Sequence, residues 1–175
     1  FIKDHSEAKT PWLLYFAFNH VHVPNFATMK YCNSTKRGLF GDALAELDNA
    51  LGVTMAAVKD AGVDENTIMF FSSDNGPWLI HLENGGSAGL LRDGKTTTWE
   101  GGVRVPGLVR WAGKIAPGIS EEVVTTYDIF PTVMALAGIP LKTDRVYDGK
   151  DLAPLLIEGA KSSVYYVLFS NFFFF

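Results

Sequence analysis

The chain has 175 residues, 47% hydrophobic and 19% charged, which describes a globular protein with a real core and excludes a disordered one. A net charge of −4 without a basic block speaks against nucleic acid as the main partner, and a lone cysteine, Cys32, excludes an internal disulfide framework or a cysteine-rich zinc site. No apolar run reaches the ~18 residues needed to span a bilayer, so no transmembrane segment is expected.

Residues 1–10 are polar and read as a linker or the end of a preceding helix; the start at Phe1, without a methionine, predicts an internal fragment. Residues 12–18, W-L-L-Y-F-A-F, form a continuous apolar run that predicts a central strand. Asn19-His20-Val21-His22-Val23-Pro24 follows, so two histidines stand just past a strand's carboxyl end. Their spacing puts both side chains on one face if the segment stays extended, while the plain alternative is two surface loop histidines. A polar loop over 25–37 holds Asn33-Ser34-Thr35, an N-glycosylation acceptor pattern. Apolar residues at Phe40, Leu44, Leu47, Leu51, Met55 and Val58 then predict a helix with one core-facing stripe. Asp42, Glu46 and Asp48 read as its solvated face, and Gly62 as its C-cap.

The stretch T-I-M-F-F-S-S-D-N-G-P-W over 67–78 is the most informative. Residues 68–71 read as a strand buried on both faces, which makes strand, helix, strand a right-handed βαβ crossover with parallel strands. In open α/β sheets ligands sit beyond the carboxyl ends of strands. Asp74 and Asn75 stand there, and their oxygens are hard ligands suited to Ca²⁺ or Mg²⁺. Asn75-Gly76 is also a hairpin signal, with residues 78–82 as the return strand of that alternative.

A Gly-rich passage over 83–102 reads as a long structureless loop. Lys95 within it is either an oxyanion ligand or an ordinary surface lysine. The G-x-x-x-x-G-K-T match over 89–96 is not a phosphate-binding loop, because no helix-forming run follows. Residues 103–111 predict a strand with Pro106 at an edge or bulge. Asp128 reads as the N-cap of a short helix closed by Gly138, and residues 152–157 as a short amphipathic piece. Residues 1–160 are expected to form one portion of a domain. Residues 161–175, ending in four phenylalanines, form an atypical tail that reads as a truncation or reading-frame artefact.

F-S-S-D-N-G-P-W, G-L-L-R-D-G-K-T-T-T-W-E-G-G-V-R-V-P-G and Y-D-I-F-P-T-V-M-A-L-A-G, in this order, resemble the sulfatase family. H-V-H-V-P and G-L-F-G-D-A-L-A-E-L-D fit the same pattern. The likeness extends over residues 11–156 and is nearest to animal arylsulfatases of the A and G types and galactosamine-6-sulfatase. It implies an α/β, alkaline-phosphatase-like fold, present here in part, with a mostly parallel central sheet flanked by helices. It implies hydrolysis of sulfate monoesters, whether sulfated lipid, glycosaminoglycan or aryl sulfate, and a lysosomal or extracellular location reached through the secretory pathway.

By the same resemblance Asp74 and Asn75 match two calcium ligands, and Lys95 matches the lysine that holds the substrate sulfate. His22 matches the histidine that contacts the ester and protonates the leaving alcohol, and His20 a second active-site histidine. The chemistry agrees, because sulfuryl transfer develops charge on oxygens that a cation, a lysine and a histidine acid can stabilise. One departure stands out. The family's formylglycine nucleophile comes from the cysteine of a C-x-P-S-R motif, which is absent; Cys32 sits in C-N-S-T. Phe1 is therefore expected to lie downstream of half the active site, and the chain alone to be inactive. The rival expectations are a phosphatase or phosphodiesterase of the same superfamily and a non-catalytic, calcium-stabilised binding module.

Overall fold

The structure is a computed structural model and describes residues 1–162. The aromatic run at the carboxyl end, residues 163–175, lies outside the described residues. Helices α1 (Ile2–Glu7), α2 (Gly38–Asp60), α3 (Glu100–Val103), α4 (Ile129–Leu136) and α5 (Ala153–Glu158) are joined by irregular segments and 3₁₀ turns. Strands β1 (Ile68–Ser72) and β2 (Gly107–Trp111) are neighbours in a two-stranded sheet. The described residues divide into two compact units, Phe1–Leu108 and a second that starts at Val109.

In the first unit α2 is the central element, and α1 and the 3₁₀ segment Leu79–Asn84 pack against it. Its end follows from backbone chemistry. Val63 N–H reaches Val58 O and Gly62 N–H reaches Lys59 O, with Gly62 at φ 70, the left-handed closure that glycine adopts without strain. The predicted stripe is half-buried at Phe40, Leu47, Leu51 and Met55 and deepest at Val58, whereas Leu44 is exposed.

The acidic residues of α2 do not form one solvated face. Asp48 is exposed, but Asp42 is only 3% exposed. Asp42 accepts hydrogen bonds from Asn33 N–H at 2.8 Å, Thr35 N–H at 2.9 Å and the Ser34 hydroxyl at 3.3 Å. Periodicity separates faces of a helix, but it does not show that a polar loop folds back over one of them. Burial pushes the Asp42 carboxyl up, and the bonds from Thr35, Asn33 and Ser34 outweigh it, holding it below the ordinary carboxylate value.

Residues 12–18 form no strand. Leu13 is 75% and Tyr15 90% exposed. An apolar run shows that a segment can be buried; a strand also needs a neighbour to take up its backbone N–H and C=O groups. No segment among the described residues pairs with it, so the expected βαβ unit begins with an irregular stretch. β1 is half-buried along Ile68–Phe71 rather than buried on both faces. The expected strand over 103–111 shortens to β2, because Val103 completes the turn of α3.

The second unit is organised by Asp128, 1% exposed. Its carboxylate does not cap α4. It turns back to accept Thr125 N–H at 2.6 Å and reaches across to Lys150 N–H at 2.7 Å. Thr132, fully buried, donates its hydroxyl to Asp128 O at 2.6 Å and accepts Leu152 N–H at 2.8 Å, which ties the approach to α5 onto α4.

Two stability measurements follow. Asp128→Ala should cost about 2–4 kcal/mol in urea unfolding, because two N–H groups lose a charged acceptor; a loss within experimental scatter would refute this account of the unit. Asp42 has a folded pKa lowered from its unfolded value, so its contribution is complete above the carboxylate range and is lost as pH falls through the folded value. The stability gap between the native chain and Asp42→Asn should therefore be constant from about pH 7 to about pH 5 and close toward about pH 2. A gap that widens on acidification would contradict the hydrogen-bonded carboxylate.

Candidate active site

Beyond β1 the chain does not make a hairpin; residues 79–84 are a 3₁₀ segment, not a return strand. Instead Gly76 N–H bonds Gly102 O at 2.9 Å, and Lys95 N–H bonds Pro77 O at 2.8 Å. The two backbones are so close that a Cβ on Gly76 would run into the Gly101 carbonyl oxygen, and one on Gly94 into that of Pro77. The passage over 83–102 is consequently ordered rather than structureless. Gly101 N–H bonds Arg92 O at 2.8 Å, and the Arg92 guanidinium lies 3.6 Å from the Trp99 ring centre. Asp93 and Thr96 bracket Lys95 with φ of 62 and 80, a conformation that a β-branched residue such as Thr96 adopts only when its surroundings impose it.

His20 and His22 diverge. His22 N–H closes a turn on Asn19 O at 3.0 Å, and the Asn25 amide donates to Val21 O at 3.0 Å, so the segment is not extended and the shared-face expectation fails. His22 Nε2 lies 3.1 Å from Lys95 Nζ. His22 Nδ1 lies 2.7 Å from Val23 O, and a carbonyl only accepts, so Nδ1 carries the hydrogen. The Nε2 lone pair is then the acceptor for the Lys95 ammonium. Trp78 stands beside both, with its ring centre 5.1 Å from Lys95 Nζ and 6.1 Å from that of His22. The contacts of His20 are elsewhere: Phe26, edge-on at 4.5 Å between centres, and the Glu46 carboxylate at 3.6 Å.

Asp74 is exposed and its carboxylate has no hydrogen bond or ion pair among the described residues. The Asn75 amide donates to Gly76 O at 3.1 Å, leaving its side-chain oxygen uncommitted. Two adjacent hard oxygen donors, one of them an unpaired carboxylate, fit a hard divalent cation. They cover only part of its shell, and no group of three or more His, Cys, Asp or Glu able to hold a metal occurs among the described residues.

Trp78 and Glu46 escaped the reading of the sequence. Trp78 stood after D-N-G-P, at the head of the alternative return strand, and Glu46 was hidden by its place on a polar helix face.

The family model described as Sulfatase matches residues 1–139. The chain is 46% identical over 159 residues to arylsulfatase A of Homo sapiens, covering 91% of this chain and 31% of that protein. It is 45% identical over 166 residues to steryl-sulfatase of Rattus norvegicus, covering 91% of this chain and 29% of that protein. The structure superposes on the PsFucS1 sulfatase from Pseudoalteromonas sp. with a TM-score of 0.85 at 33% identity, over 91% of this chain and 32% of that one. Its fold is thus the alkaline-phosphatase-like α/β fold of sulfatases, and the chain spans about a third of the length of the relatives it matches. On the family match and these identities together, the chain belongs to the sulfatase family.

Proposed function

We propose that this chain is part of a sulfuric ester hydrolase and carries the side of the active site that binds the sulfate group and releases the alcohol. The observation that carries the reading is the 3.1 Å approach of Lys95 Nζ to His22 Nε2, made by residues 73 positions apart in sequence. Lys95 supplies a fixed positive charge on a short, glycine-clamped turn, suited to a sulfate oxygen in the ground state and more strongly to the charge that builds there in the transition state. His22 supplies the proton. In the observed arrangement its Nε2 accepts from Lys95, so it must first take up a proton there. Protonation abolishes that hydrogen bond, sets two cations against each other and favours an anionic oxygen between them. A sulfate monoester is the group that answers this demand, and Nε2–H then faces the oxygen on which charge develops as the S–O bond breaks.

Asp74 and Asn75 are the proposed ligands of a divalent cation, Ca²⁺ by the family resemblance. When bound, such an ion polarises the sulfate oxygens. A formylglycine nucleophile is part of the same reading, and its precursor motif is not in residues 1–175. The likeness to animal arylsulfatases further supports a lysosomal or extracellular protein that reaches its site through the secretory pathway, with exposed Asn33 as a glycosylation acceptor.

In the full-length protein, Lys95→Ala should raise KM as well as lower kcat. His22→Ala should mainly lower kcat, by roughly 10²–10⁴-fold for an ester of a sugar alcohol, as expected for a lost general acid. The loss should shrink for nitrophenyl sulfate, whose leaving group needs no proton. An equal defect on both esters would reduce His22 to a sulfate anchor. The 175-residue chain itself should bind Ca²⁺ weakly, with Kd on the order of 10⁻³ M or above, because two donors leave most of the shell to water. Micromolar binding by calorimetry, lost in Asp74→Ala, would overturn that half-site.

A further inference from the structure

Among the described hydrogen bonds and ion pairs, Glu46 is the side chain of helix α2 that meets the histidine segment. Glu46 Oε2 accepts Thr28 N–H at 2.8 Å, and its Oε1 accepts the Thr28 hydroxyl at 2.9 Å. Oε2 also lies 3.6 Å from His20 Nε2, an ion-pair distance too long for a hydrogen bond. That nitrogen is shut off from solvent and has no hydrogen-bond partner, so the carboxylate is its polar neighbour. A single carboxylate thus holds Thr28 and stands beside His20, at the two ends of residues 20–28, with His22 between them.

Within that span, apart from the Lys95–His22 contact and the bonds of Thr28 to Glu46, the described hydrogen bonds are local. His22 N–H reaches Asn19 O, the Asn25 amide reaches Val21 O, and the His22 ring reaches Val23 O. They shape the turn without attaching it to α2. Both His22 and Thr28 are exposed, so packing does little to fix them. The hydrogen bond from Thr28 N–H holds the Glu46 carboxyl below its ordinary value; burial opposes this, and the Thr28 hydroxyl and His20 add to it. Glu46 accordingly stays ionised as the solution is made mildly acidic.

We propose that Glu46 is a positioning residue: by gripping Thr28 and His20 it anchors the turn that carries His22 to α2 and keeps His22 Nε2 within reach of Lys95. The inference rests on the sulfatase reading of the Lys95–His22 pair. A misplacement of about 1 Å in a reacting group can cost about 10²-fold in rate, which sets the scale of the effect.

The test uses the full-length protein and an aryl sulfate, with Glu46→Ala, Glu46→Gln, Lys95→Ala and the Glu46→Ala/Lys95→Ala pair. Glu46→Ala should lower kcat/KM by roughly 10–100-fold, mostly in kcat. Glu46→Gln keeps an oxygen for Thr28 and loses the charge beside His20, so its loss should be smaller; it carries the test if Glu46→Ala does not fold. A residue that acts by holding His22 against Lys95 matters less once Lys95 is gone, so the double variant should lose less than the product of the single losses. A residue that only stabilises the fold would give that product. Full activity per folded molecule in both Glu46 variants, or a simple product in the double, overturns the inference. If Lys95→Ala itself leaves activity intact, it is the sulfatase reading of the site that fails.

Discussion

The bond from Lys95 N–H to Pro77 O joins the strand end that carries Asp74 and Asn75 to the turn that presents Lys95. It forms only because Gly76, Gly94 and Gly101 let two backbones meet where any Cβ would collide with a carbonyl oxygen. The lysine therefore depends on main-chain geometry more than on side-chain packing. That suits the proposed role of Lys95, in which its ammonium sits in one place while its surroundings stay open. The left-handed Asp93 and Thr96 on either side are held by the same constraint.

On the opposite side of the pair the constraint is electrostatic. Two carboxylates of α2, one turn apart on the helix, each hold an otherwise unsupported loop. Asp42 gathers residues 33–35, and Glu46 grips Thr28 beside His20. Each relies on backbone N–H groups that would otherwise lack a partner, which is why both carboxyl groups titrate below the ordinary range. A helix of 23 residues thus serves as the frame for the histidine segment, and its apolar stripe is only part of its work. The second unit repeats the device with Asp128, which binds the N–H groups of Thr125 and Lys150 from within one buried position.

Residues 12–18 show what an apolar run does when no segment among the described residues pairs with it. Leu13 and Tyr15 stay in solvent, and the backbone makes no ladder. Another apolar run, β1, given a neighbouring strand, is half-buried along Ile68–Phe71 and paired. What separates the two runs in the structure is the presence of a paired neighbour.

The sequence by itself determined the local features: α2 and its glycine closure, β1, the short helix α4, and the residue types of the proposed sulfate site. These follow from periodicity, caps and ordered motifs, which depend on residues a few positions apart. It could not determine that His20 and His22 part company, because their spacing implies a common face only for an extended chain and the segment turns at Asn19. Nor could it reveal that Asp42 and Glu46 are bound rather than solvated, that Asp128 faces backward, or that Trp78 lies beside Lys95. Each of these rests on a contact between residues with no periodic relation, and only the tertiary structure, by closing those loops against one another, decided which polar groups met.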